Sequence, residues 1–163
     1  MRVYVGLTRS GLAAARDTGE VGPAPLAAHA VTPALRESYA TADAEELEYV
    51  ALMAAADSAL PLLHAAPGEP RRRFVVAAEV PDVTYDTEAG PSGVVVPAPV
   101  PWRDVRALHA DDPAAAATIE AAAAAYALAQ AGDDDARFAV DEADGWELMW
   151  FATQEAGDLL GSA

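Results

Sequence analysis

From Val3 the chain alternates, with Val3, Val5 and Leu7 on one face and Tyr4 and Thr8 on the other. Period two predicts a first β-strand with one buried side. The segment SGLAAARDTGE predicts a short helix ending near Gly19, EVGPAP a Pro/Gly turn, and LAAHAV a second strand. Thr32 followed by Pro33 marks a helix start, because the missing proline N–H costs nothing at the first helical position. A stronger start stands at Asp43, with Glu46 three residues on to complete an acidic capping box. The helix from there should run to about Ala65. Its apolar stripe is Tyr49, Leu52, Met53, Ala56, Leu60 and Leu63, and Pro61 should kink it or split off the last turn.

RRRFVVAAEV is apolar on both parities after its arginines, as expected of a central strand covered on both faces. In GVVVPAPVP, Pro97, Pro99 and Pro101 recur at period two and remove N–H groups from one side, which suits a sheet edge or an open polyproline stretch. VRALHA reads as another short strand. It leads into DDPAAAATIEAAAAAYALAQAG, a helix with Asp112 as N-cap, Pro113 in the first turn and Gly132 as the stop. Ile119, Ala122, Ala123 and Tyr126 share a face, and the surrounding alanines let this helix lie close to the sheet.

Residues 136–152 fit two templates. As a helix, Ala136, Ala139, Val140 and Ala143 have the spacing, but three of the four are alanine. As a hairpin, Ala143-Asp144-Gly145 is a three-residue loop with glycine where positive φ is needed, Glu142 faces Trp146, Val140 faces Leu148 and Phe138 faces Trp150. The apolar partners coincide in that register, so the hairpin is the expectation. It sets Asp141 opposite Glu147, a like-charge pair that needs solvent, a cation or an arginine. The whole pattern predicts a single α+β domain over residues 1–163. Its sheet is mixed or mostly antiparallel, its long helices pack on one side, and it closes with a C-terminal β-hairpin.

Charge changes the picture more than length does. The formal net charge is −16, and every basic residue is an arginine. Residues 111–163 hold twelve carboxylates and one arginine, a net of −11, against −5 for residues 1–110. Such a field repels phosphate backbones and anionic membranes and attracts cationic partners. Direct nucleic-acid binding and membrane association are therefore not expected, although mimicry of nucleic acid would suit the charge. No apolar run approaches the ~20 residues of a membrane span. The start MRVYVGLTRS lacks the pattern of a signal peptide, and the chain has no cysteine, so a cytoplasmic location is expected.

The candidate chemistry is sparse. Trp146 and Trp150 share the inner face of the expected hairpin, where aromatics at period two ordinarily pack. The alternative is an aromatic patch rimmed by Asp141 and Glu147 that recognises a basic or aromatic partner, which requires one tryptophan to be exposed. His109 and Asp111, in HADD, are the best local pair for binding metal or sharing a proton, although Asp112 beside them is spent as a helix cap. Asp133 to Asp135 read as a solvated acidic turn, and neither that run nor DEADGWE matches a calcium loop. The arginines at 71–73 read as partners for surplus carboxylates. GxSxG, GxGxxG, GK[ST] and HExxH are all absent, and no cofactor is expected.

The succession MRVYV, GEVGPAP, AVTPALRE, EELEY, FVVAAEVPD, FAVDEADG and ELMWFATQE, over almost the full length, resembles an uncharacterised family of small acidic proteins from high-GC Gram-positive bacteria. That resemblance implies ancestry and carries no activity or site residues with it. Function therefore rests on the residues. The first expectation is a non-catalytic interaction protein whose acidic C-terminal third docks on a basic protein, and the second is a small metal-dependent hydrolase centred on His109 and Asp111. Nucleic-acid mimicry is the third. The pattern implies no oligomeric state.

Overall fold

A computed structural model describes residues 1–161. Strands β1 (Arg2–Leu7), β3 (Leu26–His29), β4 (Phe74–Glu79), β5 (Thr84–Tyr85), β6 (Gly93–Val96), β8 (Val105–Asp111) and β9 (Leu148–Phe151) form one antiparallel sheet in the order β5-β6-β3-β1-β4-β8-β9. Strands β2 (Glu20–Val21) and β7 (Val100–Pro101) pair separately. The helices are α1 (Arg9–Thr18), α2 (Pro33–Ser38), α3 (Ala44–Ala65), α4 (Ala116–Gln130), α5 (Asp134–Glu142) and α6 (Ala156–Gly161). The protein is α+β, as its pattern predicts.

The alternation in β1 sorts two cores. Val3, Val5 and Leu7 join Phe74, Val76, Leu108 and Ala110 on one side, under α1, α6 and the small sheet. Tyr4, Val75, Ala77 and Ala107 face the other way, under α3. Helix α3 can approach β1 closely because Gly6 has no Cβ; one there would run into the Ala55 carbonyl and come within 2.6 Å of Ser58 Oγ. Arg9 fastens the first side by donating to the Leu160 carbonyl at 2.7 Å from Nη2 and 3.0 Å from Nε.

Several local signals act as expected. Asp43 and Glu46 form the capping box, with bonds of 2.9 and 3.1 Å, and the Leu35 amide donates to Thr32 Oγ1 at 3.0 Å. Strand β4 lies between β1 and β8 and is buried on both faces. Helix α3 runs unbroken through Pro61 rather than splitting there. Its buried face is Leu47, Ala51, Ala55, Ala59 and Leu63 together with Met53, Ala56 and Leu60, so Tyr49 leaves the expected stripe and is 45% exposed. Strand β6 lies one place in from the sheet edge, and Pro97, Pro99 and Pro101 follow it out of the sheet.

Two expectations are overturned. The segment 136–152 is not a hairpin: residues 134–142 are helix α5, residues 143–145 a 3₁₀ turn, and only Leu148–Phe151 is a strand, paired to β8. Asp133 caps α5 by accepting from the Ala136 amide at 2.8 Å, and Asp134 and Asp135 occupy the first turn, where the helix dipole favours acid. The small residues that count against a helix are its buried side, since Ala136 and Ala143 are buried and Val140, like Tyr126 and Trp146, packs against the cluster of Leu60, Ile119 and Ala143. Asp141 consequently does not oppose Glu147, and Phe138 is exposed instead of facing Trp150. Helix α4 lies against α3 and α5 rather than the sheet. Ile119, Ala122 and Ala123 meet Leu60 and Leu63, and His64 Nδ1 lies 2.8 Å from the Ala123 carbonyl oxygen.

Candidate functional site

Strand β8 carries Ala107, His109 and Asp111 on the α3 face of the sheet, but the structure does not join His109 to Asp111. Asp111 is fully buried and turned into Arg73, which is also fully buried. Arg73 Nε and Nη2 donate to the two carboxylate oxygens at 2.9 Å each, and the Arg73 amide adds a third bond at 2.8 Å. That bidentate grip and full burial turn the carboxylate inward, toward Arg73 and away from His109. The other two arginines of the run are also occupied. Arg71 closes the C-terminal end of α3 through the Leu63, Ala66 and Glu69 carbonyls, and Arg72 donates to the Asp111 carbonyl at 2.7 Å and lies over the Phe74 ring. Among the described residues no group of three or more His, Asp or Glu side chains is placed to hold a metal ion.

His109 instead opens into a cleft of about 280 Å³ between α3 and the sheet face of β1, β4, β8 and β9. Burial, and then the guanidinium of Arg2, push its imidazole down to about 4, so it is neutral at physiological pH. Trp150 is its cross-strand partner in β9 and is 62% exposed. Tyr49 stands at the same cleft, and Glu45 and Glu48 from the first turns of α3 complete its wall. Arg2 is there too, but Glu79 Oε1 accepts from its Nε at 3.0 Å. Among the described residues neither Glu45 nor Glu48 has a cationic partner within ion-pair distance. The exposed tryptophan is thus real, at one of the two positions that the sequence singles out. Trp146 packs beside α4 with its indole N–H donating to Thr118 Oγ1 at 3.3 Å, Glu147 is exposed just before β9, and Asp141 is exposed on α5 at 3.9 Å from Arg137.

A second cleft, about 480 Å³, lies between α3 and α5 and includes Asp57, Ser58, Tyr126, Arg137, Asp141 and Asp144. Asp57 is raised to about 7, first by loss of hydration and then by the nearby Asp144 carboxylate; Arg73 at 3.4 Å opposes the shift only in part. Sequence reasoning missed this residue. Its one signal is an acid in the midst of the apolar positions of α3, directly after Ala56 and before Ala59 and Leu60.

Residues 1–160 match the model of a family of unknown function, DUF6912. The chain belongs to that family. The match runs from β1 into α6, so it covers nearly the whole described fold while naming no activity. No curated protein matches, and no solved structure does. Among the described residues no helix is long and apolar enough to cross a membrane.

Proposed function

We propose that this DUF6912 protein is a non-catalytic interaction module that docks a basic protein segment on the face formed by β8, β9 and the start of α3. The observation that carries this reading is the 62% exposure of Trp150 beside Tyr49, over a wall holding Glu45 and Glu48. Trp150 and Tyr49 leave aromatic surface exposed at one cleft, whereas Phe138 and Leu128, also exposed, lie on α5 and α4 outside its lining. Tryptophan and tyrosine faces attract ammonium and guanidinium groups, and nearby carboxylates supply the longer-range pull. The C-terminal segment 111–163, in which β9 lies, carries a net charge of −11 and adds attraction of the same sign.

Titration calorimetry with a lysine-rich peptide tests the proposal. Binding is expected to weaken steeply as salt rises, and Trp150→Ala should reduce affinity at least about tenfold, the range for an aromatic hot spot, without loss of folding. Unchanged affinity in Trp150→Ala would remove this face from consideration.

A further inference from the structure

The main sheet is open and has two edges that are treated differently. At one end β5 is two residues long, paired only through Thr84 and Tyr85. At the other end β9 presents Leu-Met-Trp-Phe, four apolar residues with no proline, lysine or bulge to discourage pairing. Met149 and Trp150, on opposite faces of that strand, are 41% and 62% exposed. No strand pairs with its outer side among the described residues.

The direction of its free backbone groups follows from the ladder. The Asp111 amide donates to the Arg73 carbonyl at 3.1 Å, so the backbone groups of Asp111 point away from β9. Those of Ala110 therefore point toward β9, where its partner is Met149. Met149 and Phe151 face β8, and the N–H and C=O groups of Leu148 and Trp150 face outward. The next outward amide, Ala152, is already satisfied by Glu155 Oε2 at 2.7 Å. The open edge is thus confined to two residues, one of which is the tryptophan of the cleft.

We infer, resting on the docking reading above, that the partner enters as an extended segment of alternating basic and apolar residues that adds a strand to the outer edge of β9. Side chains directly across a ladder share a face. A lysine or arginine opposite Trp150 would then stand on the side of His109, Glu45 and Glu48, while the neighbouring apolar residues fall on the side of Met149 and Phe151. Main-chain bonds give such a complex its affinity and the alternate side chains its selectivity. A second copy of the chain is a poorer occupant, because each copy carries −16 and sets Glu147 immediately beside the edge.

The test uses the full chain, labelled for amide hydrogen exchange, and an eight-residue Lys/Val alternating peptide. A Glu/Val peptide serves as control, together with two backbone N-methylated forms of the basic peptide, one methylated at the lysines and one at the valines. Strand addition predicts slowed exchange at Leu148 and Trp150 on binding. It also predicts that one methylated form binds at least tenfold more weakly than the other, since only one edge of the peptide faces β9. If both methylated forms bind alike and those two amides stay unprotected while basic peptides still outbind acidic ones, strand addition is wrong and the docking reading stands. Binding of neither peptide, or equal binding of both, sinks the docking reading as well. Protection of the same amides in a concentration-dependent dimer without peptide would assign the edge to a second copy and overturn the inference.

Discussion

Asp111 and Asp57 both approach the guanidinium of Arg73, and they differ in how much water each has kept. Asp111 has none: it is enclosed at the end of β8, and three donors of Arg73 meet its two oxygens at 2.8 to 2.9 Å. Asp57, in the middle of α3, remains 40% exposed, meets Arg73 at only 3.4 Å, and shares its other side with Asp144. One arginine therefore fully satisfies one acid and leaves the next short of compensation. An ion pair in a protein is worth what its geometry returns against lost hydration, and here that return is concentrated on Asp111. Arg73 also donates to the Ala143 carbonyl at 3.1 Å, so the same group ties the turn after α5 to the ends of β4 and β8.

The largest expected effect comes from removing the satisfied partner. Asp111→Ala leaves a buried guanidinium with only the weaker Asp57 contact and should cost about 3–5 kcal/mol, measured by urea denaturation. Asp57→Ala should cost no more than ~1 kcal/mol, the range of a solvent-exposed pair. Equal losses would erase the distinction between the two acids. Next in size is Gly6→Ala, because the contrast depends on α3 lying close enough to bring Asp57 near Arg73. A methyl group at Gly6 would press on the α3 backbone at Ala55, and overpacking of this kind typically costs about 1–3 kcal/mol. A neutral result would mean that α3 has room to move.

How much of this was legible depended on whether the signal was local. The alternation in β1, the apolar run of β4 and the Asp43–Glu46 box each act within a few residues, and each predicted its element. Helix α5 was obscured because its buried side is mostly alanine and because its cap, Asp133, stands in a run of acids that also suits a solvated turn. The wrong strand then put Trp146 and Trp150 on one inner face, whereas β9 begins only at Leu148 and leaves Trp150 in solvent. An arginine run pairing with surplus carboxylates was expected from charge alone. Which carboxylate Arg73 takes follows from a register that joins positions 38 residues apart, and no local pattern contains it. Asp57 was invisible for the same reason, since its neighbours Asp144 and Arg73 arrive from other elements.

The most diagnostic effect, kept small by the 40% exposure Asp57 retains, is in the pH dependence. The folded chain holds the Asp57 proton to about 7, whereas an ordinary aspartate releases it near 3.8. Between those values the folded state binds more protons than the unfolded one, so this residue's contribution to stability falls as pH rises from about 4 to about 7 and is level above that. Thermal unfolding of the wild type and Asp57→Asn across that window isolates the term, because the remaining carboxylates are common to both. The variant should gain on the wild type by a few degrees as pH rises. Asp144→Asn removes the second cause of the shift but not the first, burial, so it should recover only part of that gain. Should Asp144→Asn flatten the profile as fully as Asp57→Asn, repulsion between the two carboxylates, and not lost hydration, would be what separates Asp57 from Asp111.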